Sequence, residues 1–111
     1  MTKRHNVLWA NTAETDLAGI IEYIADDSPS NALEILNKIR DKASSFYHSP
    51  ERGRIVPEFQ EHGILQYREL VVAPWKIIYR ITEDHVYVLS VLDSRQNIQD
   101  ILFRRLISSR I

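Results

Sequence analysis

The chain has 111 residues, of which 44% are hydrophobic and 26% charged, and it contains no cysteine. This composition is ordinary for a globular protein, argues against disorder, and excludes disulfides and thiolate metal sites. A formal net charge of −1 excludes the class of proteins that bind chiefly by neutralising phosphates, because those proteins carry a clear basic excess.

Location and domain number are predicted from the pattern along the chain. The first residues lack the apolar stretch of a signal peptide, and no run approaches the roughly 20 apolar residues of a membrane helix. We therefore expect a cytoplasmic protein without membrane contact. Because no repeat, low-complexity segment or linker interrupts the sequence, we expect a single domain over residues 1–111.

Two amphipathic helices are predicted in the first half, after the β-prone run Val7-Leu8-Trp9. Asn11 and Glu14 resemble a capping box, and Asp16 suits the positive end of the helix dipole. Ser28-Pro29 is a typical helix start and separates the first helix from the second. One apolar stripe on each helix predicts a helical hairpin. The stripes comprise Ala13, Leu17, Ile20, Ile21 and Ile24, then Ala32, Leu36, Ile39, Ala43 and Phe46.

From residue 50 onward the apolar period changes from that of a helix to that of a strand. The links between the β-rich runs are too short for crossover helices, which predicts an antiparallel meander. A last helix is predicted over residues 97–109. The expected fold is α+β: an N-terminal strand, a two-helix hairpin packed on an antiparallel sheet, and a C-terminal helix. The predicted strands cover residues 54–56, 65–72, 75–81 and 86–92, and the last helix carries Arg104, Arg105 and Arg110 towards its end.

Cationic side chains on the predicted strands are candidate binding groups. Strand alternation places Arg68 on one side with Leu70, and it places Lys76 with Arg80. Because the hairpin covers one face, we expect the other face to display these cations to a large partner. Cross-strand ion pairs on a solvated face are the alternative interpretation of the same pattern.

No phosphate-binding loop, GxSxG elbow or histidine pair at metal spacing is present, so we predict no metal site and no cofactor. The four histidines lie next to predicted turns or termini, where we expect exposed polar side chains. These histidines are His5, His48, His62 and His85.

The order and spacing of several segments resemble the RelE/ParE toxin superfamily, and resemble its ParE members more closely. The segments are a strand that ends in Trp9, then Ala13-x-x-Asp16-Leu17-x-x-Ile20-x-x-Tyr23-Ile24, Gly53-Arg54-x-Val56-Pro57-Glu58, Arg68-Glu69, Pro74-Trp75-Lys76-Ile77-Ile78-Tyr79-Arg80 and Asp93-x-Arg95. The resemblance implies the toxin of a type II toxin–antitoxin (plasmid stabilisation) system. It also implies a cognate antitoxin whose disordered segment wraps the toxin, and through which alone the toxin contacts DNA.

The resemblance leaves two mechanisms open, because both occur on this fold. ParE-like members inhibit DNA gyrase by protein contact and are not enzymes, which suits the near-neutral charge. RelE-like members cut messenger RNA on the ribosome, and Glu58, Arg68 and Arg80 are then the candidate catalytic residues. Asp93-Ser94-Arg95-Gln96 stands where such nucleases commonly offer a histidine or tyrosine, and neither Asp93 nor Arg95 is a good general acid. A drifted or inactive toxin, or another interaction module, is a third alternative.

Two sets of contact residues are expected. We expect the C-terminal helix either to pack against the hairpin or to offer apolar surface to the antitoxin or a second copy. An antitoxin that covers the target-binding arginines would neutralise the toxin by occlusion. The target-binding set is Arg54, Arg68, Arg80 and Arg95. The antitoxin-binding set is Trp75, Arg80, Ile101, Leu102 and Phe103.

Overall fold

Five strands form one sheet with helices on both faces in this computed structural model, which describes residues 4–108. The strands are β1 (Asn6–Trp9), β2 (Arg54–Ile55), β3 (Tyr67–Val72), β4 (Trp75–Ile81) and β5 (His85–Asp93). The α-helices are α1 (Asn11–Asp27), α2 (Pro29–Ser44), α3 (Pro57–Gln60) and α4 (Ile98–Ile107). The predicted α+β fold is confirmed, while Ser109, the end of the last predicted helix, and Arg110 lie outside the described residues. Over this range, no helix combines the length and apolar character needed to cross a membrane.

The strand order is β1-β5-β4-β3-β2. Strands β2 to β5 pair antiparallel, as the short links between them predict. In contrast, β1 pairs parallel with β5, in a register that runs from Asn6 opposite His85 to Trp9 opposite Val88. A parallel pair needs a crossover connection, and here the helical hairpin and strands β2 to β4 all lie between the two strands in the chain.

The two helix starts of the hairpin give opposite results for capping. The Ser28 hydroxyl accepts a hydrogen bond from the Asn31 amide at 3.2 Å, and Pro29 takes the first helical position, as predicted. The predicted capping box of α1 is wrong, because Asn11 is already helical. The N-cap is Ala10, whose side chain has no acceptor.

Glu14 joins the two hairpin helices instead of capping one of them. Its carboxylate oxygens accept hydrogen bonds from both terminal nitrogens of Arg40, at 3.0 and 2.9 Å. The Arg40 guanidinium also lies 4.4 Å from the centre of the Trp9 ring. Hydrogen bonding from Arg40 lowers the pKa of Glu14. A bidentate partner on α2 therefore explains why this carboxylate does not turn back to its own helix end.

Apolar side chains form a separate layer on each face of the sheet. On one face, the stripes of α1 and α2 pack against buried residues of β3, β4 and β5. On the opposite face, α3 and α4 pack against the same strands. The strand residues of the hairpin layer include Val72, Ile77, Tyr79, Val86 and Val88, and those of the opposite layer include Tyr67, Ile78, Leu89 and Leu92.

The position of α4 corrects two expectations. The apolar side chains of this helix pack on the sheet face opposite the hairpin, where Leu102 is fully buried, and its link to the hairpin is the ion pair between Arg105 and Asp16 of α1. Phe103 lies off the main stripe because its ring meets Phe59 of α3 edge to face, with ring centres 5.2 Å apart. The face that we expected to be open is therefore partly covered by the chain's own helices.

Among the histidines, His5 departs from the prediction of an exposed side chain. It is buried just before β1, and its amide donates a hydrogen bond to the Tyr47 carbonyl at 3.0 Å. His48 and His62 are exposed, as predicted, and His85 is half-buried. Between residues 4 and 108, no three histidine, aspartate or glutamate side chains lie close enough together to hold a metal.

Candidate functional site

A buried tyrosine hydroxyl secures the segment that precedes β2. The Tyr79 hydroxyl accepts a hydrogen bond from the Gly53 amide at 2.8 Å and donates one to the Pro50 carbonyl at 2.7 Å. Burial raises the pKa of Tyr79 above its usual value, so the hydroxyl keeps its proton. A Cβ at Gly53 would collide with this hydroxyl and with the Glu69 carbonyl oxygen. Gly53 is thus a packing residue.

We expect Tyr79→Phe to lower the free energy of unfolding by about 1–3 kcal/mol, because it leaves a buried Gly53 amide without an acceptor. Urea unfolding followed by circular dichroism measures the change. Tyr87→Phe is the matched control, since this ring is half-exposed and its loss of hydroxyl should cost much less. Equal losses for the two variants would contradict the structural role of the Tyr79 hydroxyl.

Arg68 lies on the hairpin face of the sheet, which corrects the expectation that the strand cations share one face. It is paired in register with Tyr79, and it alternates with Leu70 and Val72, which pack in the hairpin layer. Its guanidinium donates a hydrogen bond to the Gly53 carbonyl at 2.8 Å. On β4, Lys76 and Arg80 alternate with Tyr79, so both cations project from the face opposite the hairpin.

A buried carboxylate holds two cations on the face opposite the hairpin. Glu69 is 1% exposed, and its Oε2 accepts a hydrogen bond from Arg54 Nε at 3.0 Å. Lys76 Nζ lies 3.4 Å from the same oxygen. The other oxygen, Oε1, is also buried and has no hydrogen-bond partner among the described residues. Arg54 remains 63% exposed, so its guanidinium is oriented by Glu69 and still accessible.

Arg80 is an exposed cation of β4, on the same sheet face as Arg54 and Lys76. Within residues 4–108, no hydrogen bond or ion pair engages it, and its cross-strand neighbours are Tyr67 and Tyr87. Glu58 is half-buried at the start of α3. The candidate catalytic set Glu58, Arg68 and Arg80 is therefore not brought together, because Arg68 and Arg80 project from opposite faces.

A groove of about 560 Å³ lies between α1 and α4. Its α1 side is formed by residues spaced as one helical face, among them Gly19, Ile20 and Tyr23. Trp75 and the end of β5 also line it, and Ile101 contributes from α4. Tyr23 is 78% exposed, whereas Trp75 is 8% exposed. The groove thus combines an apolar lining with an exposed aromatic side chain.

An ion pair joins the two helices that border the groove. Asp16 accepts hydrogen bonds from both terminal nitrogens of Arg105, at 2.7 and 2.9 Å, and Arg105 also donates one to Ser90 at 2.8 Å. Asp16 further accepts a hydrogen bond from the Val91 amide at 3.0 Å. This amide lies beyond the end of β1, where the β1 side of β5 has no strand neighbour, so the carboxylate takes the place of a strand partner on that side. The predicted dipole role of Asp16 is wrong, because α1 begins at Asn11 and its first turn contains Glu14 but not Asp16.

A second ion pair lies in the turn after β5. The Arg95 side chain and amide each donate a hydrogen bond to Asp93 Oδ1 at 2.9 Å. These bonds lower the pKa of Asp93 to about 2, so the carboxylate is ionised at neutral pH and cannot serve as a general acid. This agrees with the sequence-based argument against an acid here. Arg95 is 76% exposed but already paired.

The predicted contact residues fall on different parts of the molecule. Trp75, Ile101 and Arg95 line the groove, whereas Arg54 and Arg80 lie on the sheet face opposite the hairpin. Leu102 is fully buried and is removed from the expected contact set, and Phe103 packs on α3. Sequence analysis missed Tyr23 and Gly19 as groove residues. A glycine and an exposed aromatic residue one turn apart on α1 were the available signals.

Residues 7–98 match the family described as ParE toxin of the type II toxin–antitoxin system parDE. Toxin RelE2 of Caulobacter vibrioides is 31% identical over 86 residues, which cover 77% of this chain and 90% of that protein. These matches confirm the resemblance seen in the sequence.

Two solved structures share the fold. A chain from the chromosomal ParDE system of P. aeruginosa has a TM-score of 0.65 at 18% identity and covers 81% of this chain and 96% of its own. A chain of the RelBE2 toxin–antitoxin complex of Mycobacterium tuberculosis has a TM-score of 0.59 at 20% identity, with 84% and 94% covered. At these identities the structures support the architecture alone.

Proposed function

Since the chain belongs to the ParE toxin family of type II toxin–antitoxin systems, we propose that it inhibits DNA gyrase by protein contact and is neutralised by a cognate antitoxin. On this proposal it acts in the cytoplasm, is not an enzyme, and contributes to plasmid stabilisation. DNA is contacted only through the antitoxin.

The observation that carries the proposal is the lack of a convergent proton-transfer set among the described residues. Ribonucleolytic cleavage needs a base, a phosphate-binding cation and an acid around one phosphate. Arg68 and Arg80 project from opposite faces of the sheet, and Asp93 is ionised at neutral pH. A protein that inhibits by binding needs no such set.

Arg80 is the proposed centre of the target-binding surface, with Arg54 as its neighbour on the same face. Arg80 is exposed and forms no ion pair over residues 4–108, so a partner carboxylate would not have to displace one. Arg54 is held in place by Glu69 and presents its exposed side to solvent. This surface suits an acidic patch on a protein partner.

The groove is the proposed antitoxin site. Tyrosine, tryptophan and arginine are the residue types that contribute most to protein interfaces, and Tyr23, Trp75 and Arg95 all line it. The P. aeruginosa and M. tuberculosis structures belong to a toxin–antitoxin system and to a toxin–antitoxin complex, respectively. They support the same class of partner for this chain.

We expect the purified protein to inhibit gyrase supercoiling, and we expect Arg80→Glu to weaken that inhibition at least about tenfold. Lys38→Glu is the matched charge reversal, since Lys38 is exposed on α2, away from this surface, and it should inhibit like the unmodified chain. Equal weakening by both variants would argue against Arg80 as a contact. No inhibition by the unmodified chain would overturn the gyrase proposal.

Ribosome-dependent messenger cleavage is the second candidate function, favoured by the name of the Caulobacter relative, Toxin RelE2. Primer extension on messenger RNA from a translation reaction tests it directly. Cleavage that is abolished by Glu58→Gln would establish this alternative. Intact messenger together with gyrase inhibition would exclude it.

A further inference from the structure

Gly19 lies in the middle of α1, where a glycine is unfavourable. Glycine destabilises a helix interior relative to alanine, since it loses more conformational freedom on folding. The φ angle of Gly19 is not in the left-handed region, and apart from its chain neighbours and the adjoining helix backbone no atom lies within 4 Å of where a Cβ would stand. The fold of the chain therefore gives no reason for a glycine here. When an unfavourable residue has no explanation within the fold, a contact with a partner is the expected reason for it.

Its position shows where that requirement arises. Gly19 is exposed, lines the groove, and stands between Asp16 and Tyr23 on the same helical face. Ile101 and Arg105 border the groove from α4. Because Gly19 has no side chain, the backbone of α1 is open to a partner at this point of the groove. The residues about one turn before and after it on the same face, Asp16 and Tyr23, both have side chains that line the groove.

The charges of the groove determine the chemistry of its occupant. Its two arginines, Arg95 and Arg105, are each paired with an aspartate of the groove, Asp93 and Asp16. The formal charges therefore cancel, and the remaining lining is mainly apolar. This favours an uncharged apolar segment of a protein over an acidic peptide or a nucleic acid.

The shape favours a helical occupant. Two helices border the groove, and the residues of α1 that line it recur with helical spacing from Thr15 to Ile24. An amphipathic helix in such a groove places its apolar residues at matching intervals. The separation of two packed helices depends on the side chains at the point of contact, so small residues there permit a close crossing.

We infer that Gly19 is the crossing point for an apolar helix of the antitoxin, which meets α1 here through a small residue of its own. This inference rests on the proposed function, because the antitoxin is the partner assigned to the groove. It makes Gly19 a residue that selects which antitoxin fits.

The test compares stability with binding for Gly19→Ala, Gly19→Leu and the control Ala18→Leu. Ala18 is the exposed neighbour of Gly19 and does not line the groove. The probe is the purified small protein encoded by the reading frame next to that of this chain, titrated by calorimetry. We expect Gly19→Ala to raise the Tm by about 4 °C and yet to weaken binding about tenfold. Gly19→Leu should weaken binding about 100-fold, and Ala18→Leu less than about twofold.

If Gly19→Ala raises the Tm and still weakens binding, the weaker binding cannot come from unfolding. That variant therefore supports the inference even where Gly19→Leu folds poorly. Binding of Gly19→Ala and Gly19→Leu at the affinity of the unmodified chain overturns the inference and leaves the proposed function intact. Equal weakening by Ala18→Leu also overturns it. If the unmodified chain does not bind the probe, the antitoxin assignment fails and the inference fails with it.

Discussion

Asp16→Ala is expected to lower the free energy of unfolding by about 3–5 kcal/mol, which is the range observed when one partner of a buried ion pair is removed. The Asp16 and Arg105 side chains are 12% and 21% exposed. Removing the carboxylate leaves the Arg105 guanidinium largely buried without a counter-charge, and it leaves the Val91 amide without its acceptor. Guanidinium chloride unfolding of the full chain measures the loss.

A double-mutant cycle with Arg105→Ala separates the pair from its surroundings. We expect a coupling free energy of about 2 kcal/mol or more, because the two side chains form a bidentate contact. Arg104→Ala is the control on the same helix, since its pair with Asp100 is exposed and should contribute about 0.5 kcal/mol or less. A coupling no larger than that of this surface pair would show that Asp16 does not hold α4 in place.

Gly53→Ala is expected to destabilise the fold by about 3 kcal/mol, through steric overlap and the hydrogen bonds lost with it. The added methyl group would overlap the Glu69 carbonyl oxygen and the Tyr79 hydroxyl. One obstacle is backbone and the other is fixed between two hydrogen bonds, so neither moves cheaply. Thermal unfolding should therefore show a large drop in Tm.

The other glycines provide the controls for this variant. Gly19→Ala meets open space in a helix and should gain about 1 kcal/mol. Gly63→Ala also meets open space, but its φ of +74° should make the variant lose about 1 kcal/mol. The expected order of stability is thus Gly19→Ala, Gly63→Ala, then Gly53→Ala. A Gly53→Ala variant as stable as Gly63→Ala would contradict the packing role of Gly53.

Helices and strands were predictable because their signals are local. The predicted Ser28-Pro29 start of α2 is confirmed, with a hydrogen bond from the Asn31 amide to the Ser28 hydroxyl. The last helix was predicted from Asn97, and the structure has Asn97 as its N-cap, which accepts a hydrogen bond from the Asp100 amide. The strand at Trp75–Ile81 was predicted with its observed bounds. The short helix α3 was missed, because Pro57 was interpreted as the end of a strand rather than as the first residue of a helix.

The faces of the sheet were not predictable, because both sides of β3 and β4 mix apolar and cationic residues. Alternation correctly placed Arg68 on the same side as Leu70, but it did not say which side of the strand meets the hairpin. That choice depends on contacts between distant parts of the chain. The placement of α4 depends on them too, since Leu102 and Phe59 come from separate segments.

The candidate site was predicted in part for the same reason. Trp75, Ile101 and Arg95 were chosen for their types and do line one groove. The pairing of Arg95 with Asp93 and of Arg105 with Asp16 was not foreseen, although it decides which cations are available to a partner. Only Arg80 and Arg54 remain from the expected target-binding set as accessible side chains on the face opposite the hairpin.

The parallel pairing of β1 with β5 has a consequence for synthesis of the chain. These strands come from opposite ends of the sequence, so the edge of the sheet closes only after β5 has emerged from the ribosome. Pairing β1 with β5 closes a long loop, which costs more conformational entropy than forming the local hairpin of α1 and α2. During translation β1 therefore has no strand partner until β5 emerges, and the groove forms only once both β5 and α4 have emerged.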